Sequence, residues 1–175
     1  MRRHLESVMR IGKRIGLDDD KGVVIAVFVA LLIVAAVVAG YYIVVRPQPE
    51  PYNTISVLDS QGKATDYPYA LVAYQNSTFS VNVEVTNHMN QDQNYRVETK
   101  ITTNLPANFP DGLQATPIST YDFSLANGAS NRTPVVVTEN GVGSYSVVFE
   151  LWQQNASGSY VFTGNYCLLP IQVTA

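Results

Sequence analysis

The stretch Phe79-Ser80-Val81-Asn82-Val83-Glu84-Val85 alternates an apolar residue with a polar one along its whole length. Side chains of a β-strand point to opposite faces with a period of two, so this pattern describes a strand with one face in a core and the other in water. The same alternation returns at Tyr95, Val97, Thr99 and Ile101, and at Tyr145, Val147, Phe149 and Leu151. Runs rich in β-branched and aromatic residues at 55–58, 69–74, 121–125, 134–138, 159–163 and 167–173 predict further strands. Turn formers punctuate them at Asp59-Ser60-Gln61-Gly62, Asn127-Gly128 and Asn140-Gly141.

Short strands at such intervals, with no long helix between them, predict an all-β domain over residues 54–175. Its expected form is an immunoglobulin-like antiparallel β-sandwich. Within it, Gly143-Ser144-Tyr145-Ser146-Val147 resembles the corner before a late strand of such sandwiches, where a buried tyrosine hydroxyl bonds back to nearby backbone. Trp152 and the many tyrosines read as core and strand-surface residues rather than as a carbohydrate platform.

Upstream of the domain the periodicity changes. In Arg46-Pro47-Gln48-Pro49-Glu50-Pro51 the alternate prolines stop any helix and favour an extended conformation, so residues 46–53 read as a short spacer. Before it, residues 23–45 read VVIAVFVALLIVAAVVAGYYIVV without a charged or amide side chain. As a helix this stretch is long enough to cross a hydrocarbon core about 30 Å thick. It exceeds the roughly 7–15 apolar residues of a cleavable signal peptide, so it reads as an uncleaved signal anchor. Arg2, Arg3, Arg10, Lys13, Arg14 and Lys21 precede the span and only Arg46 follows closely. Basic residues stay in the cytoplasm. The expected topology is therefore single-pass in the cell membrane, N-terminus cytoplasmic and C-terminal domain extracellular.

The formal net charge of -3 divides unevenly under this topology. Residues 1–22 carry six basic and four acidic groups, whereas residues 46–175 carry five basic and ten acidic. An acidic outer domain argues against nucleic acid as a partner, because phosphate binding needs clustered Lys and Arg. In the tail 1–22, Leu5, Val8, Met9 and Ile15 share one side of a helical projection and the basic residues the other. Such a basic amphipathic helix fits the inner surface of the lipid bilayer, and a disordered tail that only sets topology fits as well. Asp18, Asp19 and Asp20 suit the positive end of the spanning helix. Gly22, Ala26, Ala36 and Gly40 fall along one side of the span. Small residues let helix backbones approach closely, so this stripe is expected to pack on another transmembrane subunit or on a second copy.

One set of residues carries a resemblance. Tyr52, then Leu58-Asp59-x-x-Gly62-Lys63-Ala64-x-Asp66-Tyr67-Pro68, then Ser77-Thr78-Phe79-x-Val81-x-Val83-x-Val85-x-Asn87-His88, is similar to a domain family of unknown function found in archaeal membrane proteins. The likeness covers mainly residues 52–103. It implies a domain lying outside the membrane beside transmembrane helices. Some members carry more helices than the single one here, and the resemblance transfers no catalytic residue.

Candidate chemistry is sparse. With one cysteine, Cys167, the chain forms no internal disulfide, and the residue reads as a small buried hydrophobe. The two histidines are His4 and His88. That number is too small for a zinc site of several His or Cys ligands, and no Gly-x-Ser-x-Gly elbow is present. His88-Met89 offers an imidazole and a thioether, ligands suited to Cu(I), but a turn after the preceding strand explains the pair more simply. The outer carboxylates are scattered, as on a solvated surface, without a calcium-loop pattern. No metal, cofactor or catalytic group is therefore expected. Asn76-Ser77-Thr78, Asn131-Arg132-Thr133 and Asn155-Ala156-Ser157 are acceptor patterns for N-linked glycans, the second hindered by Pro134.

These features predict a non-catalytic accessory or scaffolding subunit of a membrane protein complex, with its sandwich on the outer face. The competing expectation is a cell-surface adhesion or envelope structural protein. That reading is weakened by the absence of a long stalk or repeated domains in these 175 residues.

Overall fold

The structure, a computed structural model, describes residues 20–44 and 50–175. The expected amphipathic tail, with Asp18 and Asp19, and residues 45–49 of the span end and spacer lie outside the described residues. The chain divides into a helical unit ending at Pro49 and a β unit, Glu50–Ala175.

The helical unit contains α1, Asp20–Val44, none of whose residues is buried. It starts just before the charge-free stretch, with Asp20 in the first turn, where a carboxylate favours the positive end of the helix dipole. By length and composition it is the one helix among the described residues able to cross a membrane. Gly22, Ala26 and Gly40 are partly exposed and Ala36 exposed, and a Cβ placed on Gly40 would touch nothing within 4 Å.

The β unit is an immunoglobulin-like sandwich of eight strands. They are β1 Tyr52–Leu58, β2 Ala70–Val72, β3 Thr78–His88, β4 Gln93–Thr102, β5 Ser119–Leu125, β6 Ser130–Thr138, β7 Gly143–Gln154 and β8 Tyr160–Thr174. One sheet has the order β1-β3-β6 and the other β2-β8-β7-β4-β5. All pairings are antiparallel except the short β2, which runs parallel to the end of β8. β5 remains on the edge of β4, which gives the second sheet its five strands.

Alternation places the core as the sequence suggests. Val81, Val83 and Val85 from β3 meet Tyr95 and Val97 from β4, Val135 and Val137 from β6, and Phe149 and Leu151 from β7 in one buried cluster. Each such side chain contributes roughly 1.5–3 kcal/mol by leaving water. A one-residue slip of any of these strands would turn its apolar set outward, so burial also fixes register.

Three local expectations are corrected. The separate strands foreseen at 159–163 and 167–173 are one strand, β8, interrupted by an irregularity in which residues 163–165 face Leu151 alone. Gly164 supplies the left-handed conformation there (φ 82°), so the gap expected between two strands is a bulge in a continuous one. The strand foreseen at 69–74 shortens to β2 because the chain folds into a tight turn, with the Asn76 N–H bonded to the Val72 carbonyl at 2.9 Å. The tyrosine hydroxyl that bonds back to backbone belongs to Tyr67, which donates to the Val57 carbonyl at 2.7 Å, whereas Tyr145 lies over Gly141 in the preceding turn.

The outer edge of β1 is closed by side chains. Its carbonyls at Asn53, Ile55 and Val57 accept from Asn165 Nδ2 (3.3 Å), Cys167 Sγ (3.4 Å) and Tyr67 Oη (2.7 Å). The period-two spacing matches the edge of a strand, and the caps occupy acceptors that would otherwise pair with a foreign chain. Burial raises the Cys167 thiol above its ordinary pKa, opposed in part by a backbone contact at Val57. The neutral form is thus favoured in the fold, and the stability it contributes is complete below the unfolded value and declines as pH rises past it. Maleimide labelling of the native protein at pH 8 is accordingly expected to run at least about tenfold slower than labelling of the urea-unfolded chain.

Candidate functional site

The residues that carry the family resemblance hold turns and loops and do not converge on one site. Asp59 Oδ1 accepts from the Gln61 and Lys63 N–H groups, both at 2.8 Å, and the Asp59 carbonyl accepts from Asn82 Nδ2 at 2.8 Å. Tyr67 caps β1. Asn87 is fully buried and uses its whole amide: Nδ2 donates to the Gln91 and Leu125 carbonyls at 2.9 Å, and Oδ1 accepts from the Met89 N–H at 2.9 Å and the Tyr95 hydroxyl at 3.0 Å. This single side chain ties the β3–β4 and β5–β6 loops to the core. Burial raises the Tyr95 hydroxyl pKa, partly offset by a hydrogen bond involving Asn53, so it remains a donor.

His88 stacks on Tyr52 with ring centroids 4.6 Å apart, and the Met89 sulfur lies 4.0 Å from Asn53 Nδ2. Among the described residues no group of three or more His, Cys, Asp or Glu is arranged to hold a metal ion. Asn76 and Asn155 are exposed in turns. Asn155 Oδ1 organises its own loop by accepting from the Ser157 and Ser159 N–H groups, both at 3.0 Å, and from the Ser157 hydroxyl at 2.7 Å. Asn131 lies within β6, its Nδ2 bonded to Thr133 Oγ1 at 3.1 Å.

The two outer faces of the sandwich differ. That of the three-stranded sheet is a polar ladder, with Thr78 against Thr138 (2.9 Å), Thr86 against Ser130 (2.8 Å) and Arg132 paired to Glu84 (2.7 Å). The outer face of the five-stranded sheet carries aromatic rings and a buried ion pair. Phe109 packs on Tyr166 (4.6 Å between centroids), and Trp152 on Phe162 (5.5 Å). Tyr166 and Leu168 beside them stay 42% and 43% exposed, which leaves an apolar strip along β8 open to a partner.

Beneath this face Lys100 and Glu150 meet at 2.7 Å, 4% and 0% exposed, and Glu98 lies 3.1 Å from the same ammonium. The Lys100 ammonium also donates to the Leu113 carbonyl at 2.9 Å. Glu150 accepts from the Leu113 N–H through one oxygen and from Trp152 Nε1 (3.1 Å) through the other. The pair therefore clamps the loop between β4 and β5 onto the sheet. Gly112 lies flat on Trp152, where an added Cβ would come within 2.6 Å of the indole, and its φ of 83° suits glycine alone.

Sequence reasoning missed this cluster because Lys100 and Glu150 occupy strand positions opposite the core-facing set and read as solvent-exposed. The signal available was Pro110-Asp111-Gly112, a turn that returns the chain over the sheet. With every polar atom of the pair engaged inside the protein, the arrangement braces a loop and presents no free nucleophile or base. On the partly exposed part of the second sheet Arg96 forms a two-pronged pair with Asp122 (2.7 and 2.8 Å) that holds the Asp122 carboxyl below its usual range.

The sequence matches no family model and no curated protein. Among solved structures it is similar to the CARDB domain of a Pyrococcus furiosus protein, crystallised in complex with di-metal ions. That likeness has a TM-score of 0.48 and 14% identity, and covers 72% of this chain and 90% of that one. It is also similar to a part of a beta-glucosidase from Listeria innocua (TM-score 0.43, 10% identity, 71% of this chain and 16% of that one). A third likeness is to Spo0M, a sporulation control protein from Bacillus subtilis (TM-score 0.40, 12% identity, 70% of this chain and 49% of that one). The fold assignment rests on the strand order and register given above.

Proposed function

We propose that this chain is a membrane-anchored, non-catalytic accessory or scaffolding subunit, with α1 in the bilayer, the N-terminus cytoplasmic and the sandwich on the outer face. The observation that carries the reading is that α1, apolar throughout its central turns, buries none of its residues within the chain. Such a surface needs lipid or another helix to cover it. The stripe of Gly22, Ala26, Ala36 and Gly40 offers a partner helix the closest approach, and the apolar strip on β8 offers a second contact outside. The resemblance of residues 52–103 to a domain of archaeal membrane proteins supports the same placement. Outside the membrane, Asn155 and Asn76 are the accessible glycan acceptors, whereas Asn131 is held in a strand.

Gentle detergent extraction followed by gel filtration and mass spectrometry tests the proposal. A protein of fixed identity is expected to co-migrate with the wild-type chain, and Ala26→Leu, Ala36→Leu or Gly40→Leu is expected to reduce its recovery about tenfold or more by forcing the helices apart. A chain that runs alone, or only with itself, would transfer the account to surface adhesion or envelope structure.

A further inference from the structure

At the end of the sandwich where β1 begins, the described residues leave an opening. Between the start of β1, the β3–β4 turn, the end of β7 and the start of β8 lies a cleft of about 540 Å³. This volume falls within the range of roughly 300–1,000 Å³ typical of small-molecule sites. Among the described residues its lining contains five amide side chains, Asn53, Gln153, Gln154, Asn155 and Asn165, and no Asp, Glu, Lys, Arg or His. Tyr52 and Phe162 add aromatic rings.

We infer that this cleft binds a neutral saccharide. An amide places a donor and an acceptor side by side, which matches two adjacent hydroxyls of a sugar, and a ring wall suits the C–H face of a pyranose. The lack of any formal charge among the described lining residues removes the attraction that would select a metal ion, a phosphate or a uronic acid. The amides are also pre-positioned. Asn53 Nδ2 donates to Gln153 Oε1 at 3.3 Å, Asn165 Nδ2 bonds to Asn53 Oδ1, and Asn94 Nδ2 holds Gln154 Oε1 at 2.7 Å. The bulge at Gly164 sets Asn165 against β1. Gln153 Nε2 and Asn155 Nδ2 have no acceptor among the described residues and remain available to a ligand. Asn155 belongs both to this lining and to an acceptor pattern, so the sugar has two possible sources with the same chemistry: a glycan carried by Asn155 itself, or a glycan of another molecule.

The test uses the full chain, ¹⁵N-labelled, in micelles of a detergent without a sugar head group, made first in a host that adds no glycans. Glucose, galactose, mannose and N-acetylglucosamine are titrated, with glucuronate as the charged control. At least one neutral sugar is expected to shift the side-chain NH₂ signals of Gln153, Asn155 and Asn165 with a Kd of about 1–10 mM, and glucuronate to bind at least about tenfold more weakly. Gln153→Leu and Gln153→Glu are each expected to abolish the shifts while the spectrum stays folded. Repeating the titration on chain from a glycosylating host separates the sources. A response seen only with Ser157→Ala, which removes the acceptor pattern, changes no lining residue and leaves Asn155 Oδ1 its bonds from the Ser157 and Ser159 N–H groups, assigns the cleft to the chain's own glycan. A response in both assigns it to a separate one. Unmoved amide signals with every neutral sugar, or unchanged shifts in the Gln153 variants, would overturn the inference.

Discussion

Replacing Glu150 with alanine is expected to destabilise the sandwich by about 3–5 kcal/mol, the usual consequence of leaving one partner of a buried ion pair without the other. The reason lies in what remains. Lys100 would keep an ammonium that is 4% exposed, with only Glu98 and the Leu113 carbonyl to hold it, while the Leu113 N–H and Trp152 Nε1 would both lose their acceptor. For a domain of this size the midpoint of thermal unfolding should fall by roughly 10–20 °C. Lys100→Met should be similarly harmful, because it strands the fully buried Glu150 carboxylate. The double variant Lys100→Met with Glu150→Ala should be less destabilised than the sum of the two single variants by at least about 2 kcal/mol. It should not regain full stability, since the two orphaned N–H groups remain. Urea unfolding of the four proteins measures this coupling. Additive single changes would show that the ion pair does not clamp the loop.

The second large effect is expected at Asn87. Asn87→Ala removes two donated and two accepted hydrogen bonds at once from a side chain that is 0% exposed. It leaves the Gln91 and Leu125 carbonyls, the Met89 N–H and the Tyr95 hydroxyl to be rehydrated or left unpaired, for a loss of about 3–4 kcal/mol. Asn87→Asp should be no better, because a carboxylate would then face two carbonyl oxygens. Hydrogen exchange gives a specific signature: protection should fall first in the loops at 89–92 and 126–129, which this amide joins, before it falls in β7. Uniform loss of protection across both sheets would contradict that role.

How far the sequence could be read follows from where each residue's partners lie. Alternation in Phe79–Val85 revealed β3 because side-chain direction in a strand is a local property. The large buried set that it faces, from Tyr95 to Leu151, carries the same signature. The Lys100–Glu150 pair was hidden because the loop that covers it comes from residues 103–118, and outward strand positions look solvated until such a loop is placed. Asn87 stood out as part of a recurring pattern, yet its role depends on a hydroxyl from β4 and a carbonyl at the end of β5. The gap between the strands expected at 159–163 and 167–173 is a bulge at Gly164, because both segments pair with β7. The amide cleft was illegible for a similar reason: Asn53, Gln153 and Asn165 lie far apart in sequence and meet only at the open end of the sandwich.

The central claim is that α1 presents its small-residue side to a partner helix, and photo-crosslinking along that helix tests it most directly. A benzophenone amino acid placed at Ala36 in the native membrane should give an adduct of one fixed mass with a partner protein. The same probe at Val34 or Val38, on the far side, should give only lipid adducts. Equal adducts from both sides, or lipid adducts alone at Ala36, would contradict the account.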